Sequence, residues 1–185
     1  MEEKPVDLQS VIEFAVGAHS GQFRKGTGLP YIVHPLAVMS QIADWEIYCP
    51  KIWKAAICHD ILEDCPNVCY KDLCDVIGED SASIVQELTF APVNDGRPEN
   101  LQKEDYMKSF GTKSLEALVV KVADRICNTL DFVSTNPSYA SKYFKKADCL
   151  FETVLNRGEQ LLEKFGKSSF PRMKYSRTCL HQKLY

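Results

Sequence analysis

One histidine and three carboxylates stand within six residues, His59-Asp60-Ile61-Leu62-Glu63-Asp64, in apolar surroundings that include Ala55, Ala56 and Ile57. At about 100° per residue, Glu63 falls four positions from His59 and Asp64 four from Asp60. The spacing therefore puts all four polar groups on one arc of a helix. The rest of that helix is nearly all apolar, as a buried central helix is. Ionised carboxylates do not stay in such a place without a partner, because burying an unpaired charge is costly. A bound cation satisfies them at the least cost.

The chain has 185 residues, enough for one domain with a sizeable core. A net charge of −3 gives no general reason to expect nucleic acid or a membrane as partner. No apolar run is long enough to span a bilayer, and Met1-Glu2-Glu3-Lys4-Pro5 is polar rather than a secretion signal, so the expected compartment is the cytoplasm. None of the eight cysteines forms a C-x-x-C pair. Reduced thiols packed as small hydrophobes fit that compartment.

Periodicity predicts helices almost throughout. Asp7 caps a first helix running to about Gly21, and the glycines of 22–31 make a loop carrying Arg24, Lys25 and Tyr31. A second helix is expected over 35–45 and the central one over 50–63. Short helices follow at 70–77 and 81–88, then an exposed, mobile loop over 91–100 and a polar helix over 101–110. The stretch 114–133 is apolar on one side. On the other, Lys121, Asp124, Asn128 and Asp131 recur at i, i+3, i+7 and i+10. A last long helix is expected over 139–165, and the basic, aromatic tail 167–185 is left open. No period-2 alternation indicates a strand. The fold class is an all-α, single-domain helical bundle over 1–185, with a core of about 7–165.

His34, His59, Asp60 and the distant Asp124 form an H…HD…D series. Two imidazoles and two carboxylates suit a first-row divalent ion such as Mn²⁺, with Fe²⁺, Zn²⁺ or Co²⁺ also compatible. Four protein ligands in an octahedral shell leave room for water and a phosphate oxygen, the arrangement of metal-assisted phosphoester hydrolysis. His19 is read as a structural histidine beside the site and Arg125 as a structural ion-pair residue.

The ordered segments Ala18–Lys25, Pro30–Pro35, His59–Asp64 and Lys121–Asn128 resemble the HD superfamily of metal-dependent phosphohydrolases. Within it the chain is most similar to the hydrolase domain of the RelA/SpoT group and its stand-alone small alarmone hydrolases, including the metazoan SpoT homologue. The resemblance implies an HD-type bundle in which His34, His59, Asp60 and Asp124 hold the metal, usually manganese. It implies that Glu63 and Asp64 manage the attacking water and the leaving-group proton. Arg24 would stack on a guanine base, Lys25 would meet phosphate, and Asn128 and Tyr143 would line the nucleotide pocket. The implied reaction is removal of the 3′-pyrophosphate from ppGpp or pppGpp, with no synthetase domain beside it. The partner is then a small nucleotide, and the oligomeric state stays open.

Departures from the family pattern spare the metal and acid/base positions. Cys127 stands where the family commonly has His, Leu130 and Tyr139 where it has Arg, and Cys65 where it has Thr. The changes at Cys127, Leu130 and Tyr139 allow an alternative, the same scaffold acting on ppApp, the 2′-phosphate of NADPH or another nucleotide; a further alternative of a different class is a non-catalytic nucleotide sensor that has kept the fold.

Overall fold

Twelve α-helices, and no strand, form among the described residues, 7–185, of the computed structural model. The polar stretch read at 1–5 lies outside the described residues. In chain order the helices are α1 (Leu8–Ala18), α2 (Val33–Asp44), α3 (Pro50–Cys58), α4 (Ile61–Asp64), α5 (Tyr70–Ile77) and α6 (Glu79–Leu88). They continue as α7 (Glu99–Ser109), α8 (Leu115–Thr135), α9 (Pro137–Lys145), α10 (Asp148–Asn156), α11 (Gly158–Phe165) and α12 (Ser169–Leu184). The all-α class expected from the periodicity is the one that forms. No helix among the described residues is long and apolar enough to cross a membrane.

The bundle is built around α8. Ser114 caps it by accepting the Ala117 N–H, and Asn136 ends it, then caps α9 ahead of Pro137. Leu118, Val119, Val122 and Ile126 are buried, and α8 packs on α2, α3, α6, α9, α10 and α12. Full burial of side chains this size contributes roughly 1.5–3 kcal/mol each. That strength lets α8 also carry a buried carboxylate, Asp124, 4 % exposed.

Two expected helices are broken. The continuous helix expected over 50–63 is α3 and α4, parted at His59 and Asp60. After the break Asp60 O accepts both the Glu63 N–H (3.1 Å) and the Asp64 N–H (2.8 Å). Neighbours in an unbroken helix point about 100° apart. The break lets His59 and Asp60 aim at one point, with Nε2 and Oδ2 3.0 Å apart. The single arc expected for all four polar groups is therefore replaced by two groups at the break and two on the next turn.

The long helix expected over 139–165 is three helices. α9 and α10 pack on α8, whereas α11 packs on α10 and α12. Gly158 opens α11 where a Cβ would stand 2.7 Å from the Phe170 ring, so the change of direction needs that glycine. The tail left open by the sequence is α12. It buries Met173 and Leu180, its Ser176 Oγ accepts the Trp45 indole N–H (2.9 Å), and Arg172 pairs with Glu46 (2.6 Å).

Smaller differences follow from capping. α1 stops at Ala18, and α2 starts two residues before Pro35, which sits inside its first turn. α6 starts directly after Gly78, whose φ of +83° makes the corner. The 91–98 loop is exposed as expected, but it is clamped. Buried Gln102 accepts the Val93 N–H (2.8 Å) and donates to Val93 O (3.0 Å) and Arg97 O (3.1 Å).

Candidate functional site

Two helices and one break converge on a buried cluster. His34 comes from the first turn of α2, His59 and Asp60 from the break between α3 and α4, and Asp124 from the middle of α8. His34 Nε2 is 3.2 Å from Asp124 Oδ1 and 3.8 Å from Asp60 Oδ2. His59 Nε2 is 3.0 Å from Asp60 Oδ2 and 3.8 Å from Asp124 Oδ1. His34, His59 and Asp124 each offer a ligand atom within 4.8 Å of the others. Asp60 stands at their side and also accepts the Tyr31 hydroxyl (2.7 Å).

The chemistry of this cluster calls for positive charge at its centre. His59 Nδ1 donates to Ala56 O (2.8 Å), which leaves Nε2 as the inward atom. Neither the His59 Nε2 nor the His34 Nε2 makes a hydrogen bond, although both are buried. Two imidazole lone pairs facing two carboxylates repel one another unless a cation or protons lie between them. Burial alone would lower the His59 imidazole, yet Asp60 and Asp124 outweigh it and push it up to about 10. Burial works against ionised Asp124, but Lys121, His34 and His59 hold its carboxyl well below the usual range. Asp60 is held low in the same way by His59. The residues present thus fit a divalent metal ion, whose binding competes with those protons.

The outward-facing groups form a cleft of about 510 Å³, which includes Arg24, Lys25, Tyr31, Asp64, Asn128 and Phe132. The loop between α1 and α2 reaches it because Gly26 (φ +98°) lies flat on Thr135, where a Cβ would stand 3.0 Å from the Thr135 side chain. That seating delivers Arg24 to α8. Its Nη2 donates to Asp131 Oδ2 (2.6 Å) and Asn128 Oδ1 (2.7 Å), its Nε donates to Asp131 Oδ2 (3.1 Å), and its guanidinium lies 5.5 Å from the Tyr31 ring. Asn128 in turn donates to Asp124 Oδ1. One line of contacts thus runs from the loop to the histidine–aspartate cluster.

Glu63 and Asp64, expected to act together, have different surroundings. Glu63 is exposed as a residue, but its carboxyl accepts the Phe90 N–H and is partly desolvated by its neighbours, which raises it above the ordinary value. Asp64 is exposed in the cleft, with its backbone oxygen accepting the Gln22 side-chain amide (2.9 Å). Tyr143 is not among the residues lining the cleft. It lies against Phe132, with ring centroids 5.0 Å apart, and under Arg125 at 4.3 Å. Arg125, expected to form an ion pair, has no carboxylate partner among the described residues: the aromatic ring occupies the place an acid would take. His19 is buried, bonded to Gln22 (2.8 Å) and stacked on Tyr31 with ring centroids 4.6 Å apart, so it braces the loop.

Sequence reasoning left Tyr31, Gln22 and Lys121 without roles. Tyr31 stands three residues before His34, the spacing that puts both on one side of a turn. Lys121 stands one turn before Asp124, with Nζ 3.0 Å from Asp124 Oδ2. Gln22 carried no periodic signal.

No family model matches the chain. It is 30% identical over 156 residues to the protein named bifunctional (p)ppGpp synthase/hydrolase SpoT of Escherichia coli K12, a match covering 81% of this chain and 21% of that protein. It is 33% identical over 135 residues to the guanosine-3′,5′-bis(diphosphate) 3′-pyrophosphohydrolase of Haemophilus influenzae, covering 70% and 19%. The same name belongs to a Spiroplasma citri protein, 30% identical over 125 residues and covering 66% and 16%. The chain spans about a fifth of the length of these curated relatives. Among solved structures, a metazoan ortholog of SpoT, described as hydrolysing ppGpp and acting in starvation responses, matches with a TM-score of 0.76 at 19% identity. That match covers 99% of each chain and shows a shared fold. By its fold, the order of its histidine and aspartate motifs and its sequence likeness over that region, the chain belongs to the HD-type hydrolase-domain family of the RelA/SpoT proteins.

Proposed function

We propose that this protein is a manganese-dependent hydrolase that removes the 3′-pyrophosphate of ppGpp or pppGpp, giving GDP or GTP and pyrophosphate. The observation that carries this reading is the pair of buried, unbonded Nε2 atoms of His34 and His59 facing the Asp60 and Asp124 carboxylates, beside a cleft holding Arg24 and Lys25. His34, His59, Asp60 and Asp124 would hold the cation. When bound there, a first-row divalent ion acidifies water and polarises a phosphoryl oxygen.

The chain's own residues supply the rest. Asp124 is oriented from both sides, by Lys121 at Oδ2 and Asn128 at Oδ1. Tyr31 fixes Asp60. Glu63, with its raised proton affinity and its tether to Phe90, is suited to take the proton of the attacking water. Asp64, on the cleft side, is suited to manage the proton of the leaving group. Arg24 presents a flat guanidinium whose charge is already matched by Asp131, which favours stacking on a base over gripping phosphate. Exposed Lys25 faces solvent at the same mouth, where a phosphate enters, and Asn128 lines its floor. Tyr143 would touch the nucleotide only beyond Phe132. Eight free thiols suit a reducing, cytoplasmic setting.

Incubation of the manganese-loaded chain with equal amounts of ppGpp, ppApp and NADPH, with products resolved by chromatography, tests this directly. Pyrophosphate release from ppGpp that vanishes in Asp60→Ala is the expected result. Metal-dependent turnover retained in that variant, or preferred use of another nucleotide, would displace the reading.

A further inference from the structure

One cation near the cluster has no role in the scheme above. Arg125 follows Asp124 on α8 and stands one turn beyond Lys121. Lys121 is already engaged, 3.0 Å from Asp124 Oδ2. Arg125 is not: its Nε is buried without a hydrogen bond, and its Nη2 meets only the Met107 sulfur, at 3.6 Å. No carboxylate is within ion-pair reach of it among the described residues. Its flat face rests on the Tyr143 ring at 4.3 Å, and Tyr143 is itself wedged against Phe132 (5.0 Å) and Tyr139 (5.9 Å).

A half-buried guanidinium with its Nε–H unmet and only a thioether sulfur at Nη2 is costly unless something supplies better acceptors. Stacking on an aromatic ring fixes the plane and leaves the N–H edge free. That edge is a fork matched to two oxygens of one phosphate. The contrast with Arg24 is direct, since Asp131 and Asn128 already occupy that fork. We propose that Arg125, backed by Tyr143, is the anion clamp that holds the diphosphate group lying at the His34–His59–Asp124 cluster. The identity of the anion rests on the hydrolase reading above, whereas the site itself rests on the unmet Nε–H and the guanidinium plane fixed by Tyr143. Lys25, which lines the cleft beside Arg24, is then left for phosphate at the other end of the nucleotide.

The probe is inorganic pyrophosphate, titrated by calorimetry into the full chain with manganese bound and again without it. Arg125→Gln is expected to weaken binding about tenfold to a hundredfold, and Arg125→Lys to recover part of that loss. Because a variant can lose structure, the wild-type chain is also read by nuclear magnetic resonance. Pyrophosphate should move the Arg125 Nε–H resonance and leave that of Arg24 in place. Unchanged affinity in Arg125→Gln, an unmoved Arg125 resonance, or no pyrophosphate binding by the wild type at millimolar concentration would each overturn the clamp. Turnover of ppGpp is assayed in parallel. Binding through Arg125 without turnover upholds the clamp and removes the hydrolase reading, while turnover with Arg125-independent binding does the reverse.

Discussion

Arg24, linked to Asp124 through Asn128, and Arg125, next to Asp124 in the chain, carry the same side chain in opposite circumstances. Arg24 arrives from a loop, donates three hydrogen bonds to Asp131 and Asn128, and brings no net charge to its surroundings. Arg125 is built into α8, rests on a ring, and meets no acid among the described residues. Residue type alone marks both as phosphate binders. Their partners divide the work: a neutralised plane suits a nucleobase, and an open fork suits phosphate.

The largest expected effect comes from the residue between them. Asp124 is tied through Asn128 to the Arg24 side and through Lys121 to the other. Asp124→Asn keeps the shape and removes the charge. Turnover should fall by at least about 10⁴-fold and bound manganese should be lost. Metal analysis alongside the rate separates the two, and an Asn variant that keeps both would dissolve any distinction between the two sides.

Next in size is Glu63. Partial desolvation raises its carboxyl above the ordinary 4.5, partly offset by the Phe90 N–H and Lys121. A base must be ionised, so the rate should fall as pH drops through this raised value, placing the acid limb above that of a free glutamate. Glu63→Gln should cost about 10²-fold in kcat and erase that limb. Lys121→Met removes one of the opposing charges and should move the limb further up. A limb that stays in place would mean that the lysine side does not reach the acid/base group.

Smaller again is the pair on the loop side. Arg24→Ala leaves Asp131 unpaired at the mouth of the cleft, adding negative charge where a polyanion enters. KM should rise about tenfold with little change in kcat. Asp131→Ala releases the guanidinium, so the same substrate should bind with a steeper salt dependence. A double-mutant cycle should return coupling of about 1 kcal/mol, since Asp131 is 43% exposed. If Arg24→Ala instead lowered kcat as strongly as Glu63→Gln, Arg24 would be handling the reacting phosphate and the contrast with Arg125 would fail.

These differences also mark where sequence was informative. The H…HD…D series could be read because its members are chemically unlike their apolar neighbours, and helix periodicity placed Asp124 on the polar stripe of α8. The break at His59 and Asp60 could not be read. Nothing in Cys58-His59-Asp60-Ile61 disfavours a helix, and the turn exists because two side chains meet at one point. The bends at Ala147 and Gly158 were hidden likewise, since they answer to Phe170 and to the surface of α8. Most telling is Arg125. Sequence gave it an ion pair by default, and only the fold shows that its neighbour is Tyr143.

The smallest expected effect on turnover, and a distinct one on stability, lies outside the cleft. Glu116 opens α8 and is buried, with Lys51 of α3 at 2.9 Å and Lys164 of α11 at 2.7 Å. Burial would raise its carboxyl, but Lys164 and Lys51 outweigh it and hold it below the ordinary 4.5. A carboxyl that is more acidic when folded binds its proton more readily when unfolded. Its stabilisation is therefore complete above 4.5 and lost as pH falls from there through the lower folded value. Glu116→Gln should lower stability at neutral pH by about 1–3 kcal/mol, discounted because both lysines are partly exposed, and should flatten the acid side of a melting-temperature profile. At temperatures where the variant stays folded, kcat/KM should stay within about twofold. α8 would then be anchored at its start by an ion-pair triad that the cleft does not sense, while Arg125 further along it and Arg24, seated against it from the loop, work on whatever the cleft binds. A Glu116→Gln variant that altered pyrophosphate affinity without melting earlier would show that the anchor and the cleft are one electrostatic unit.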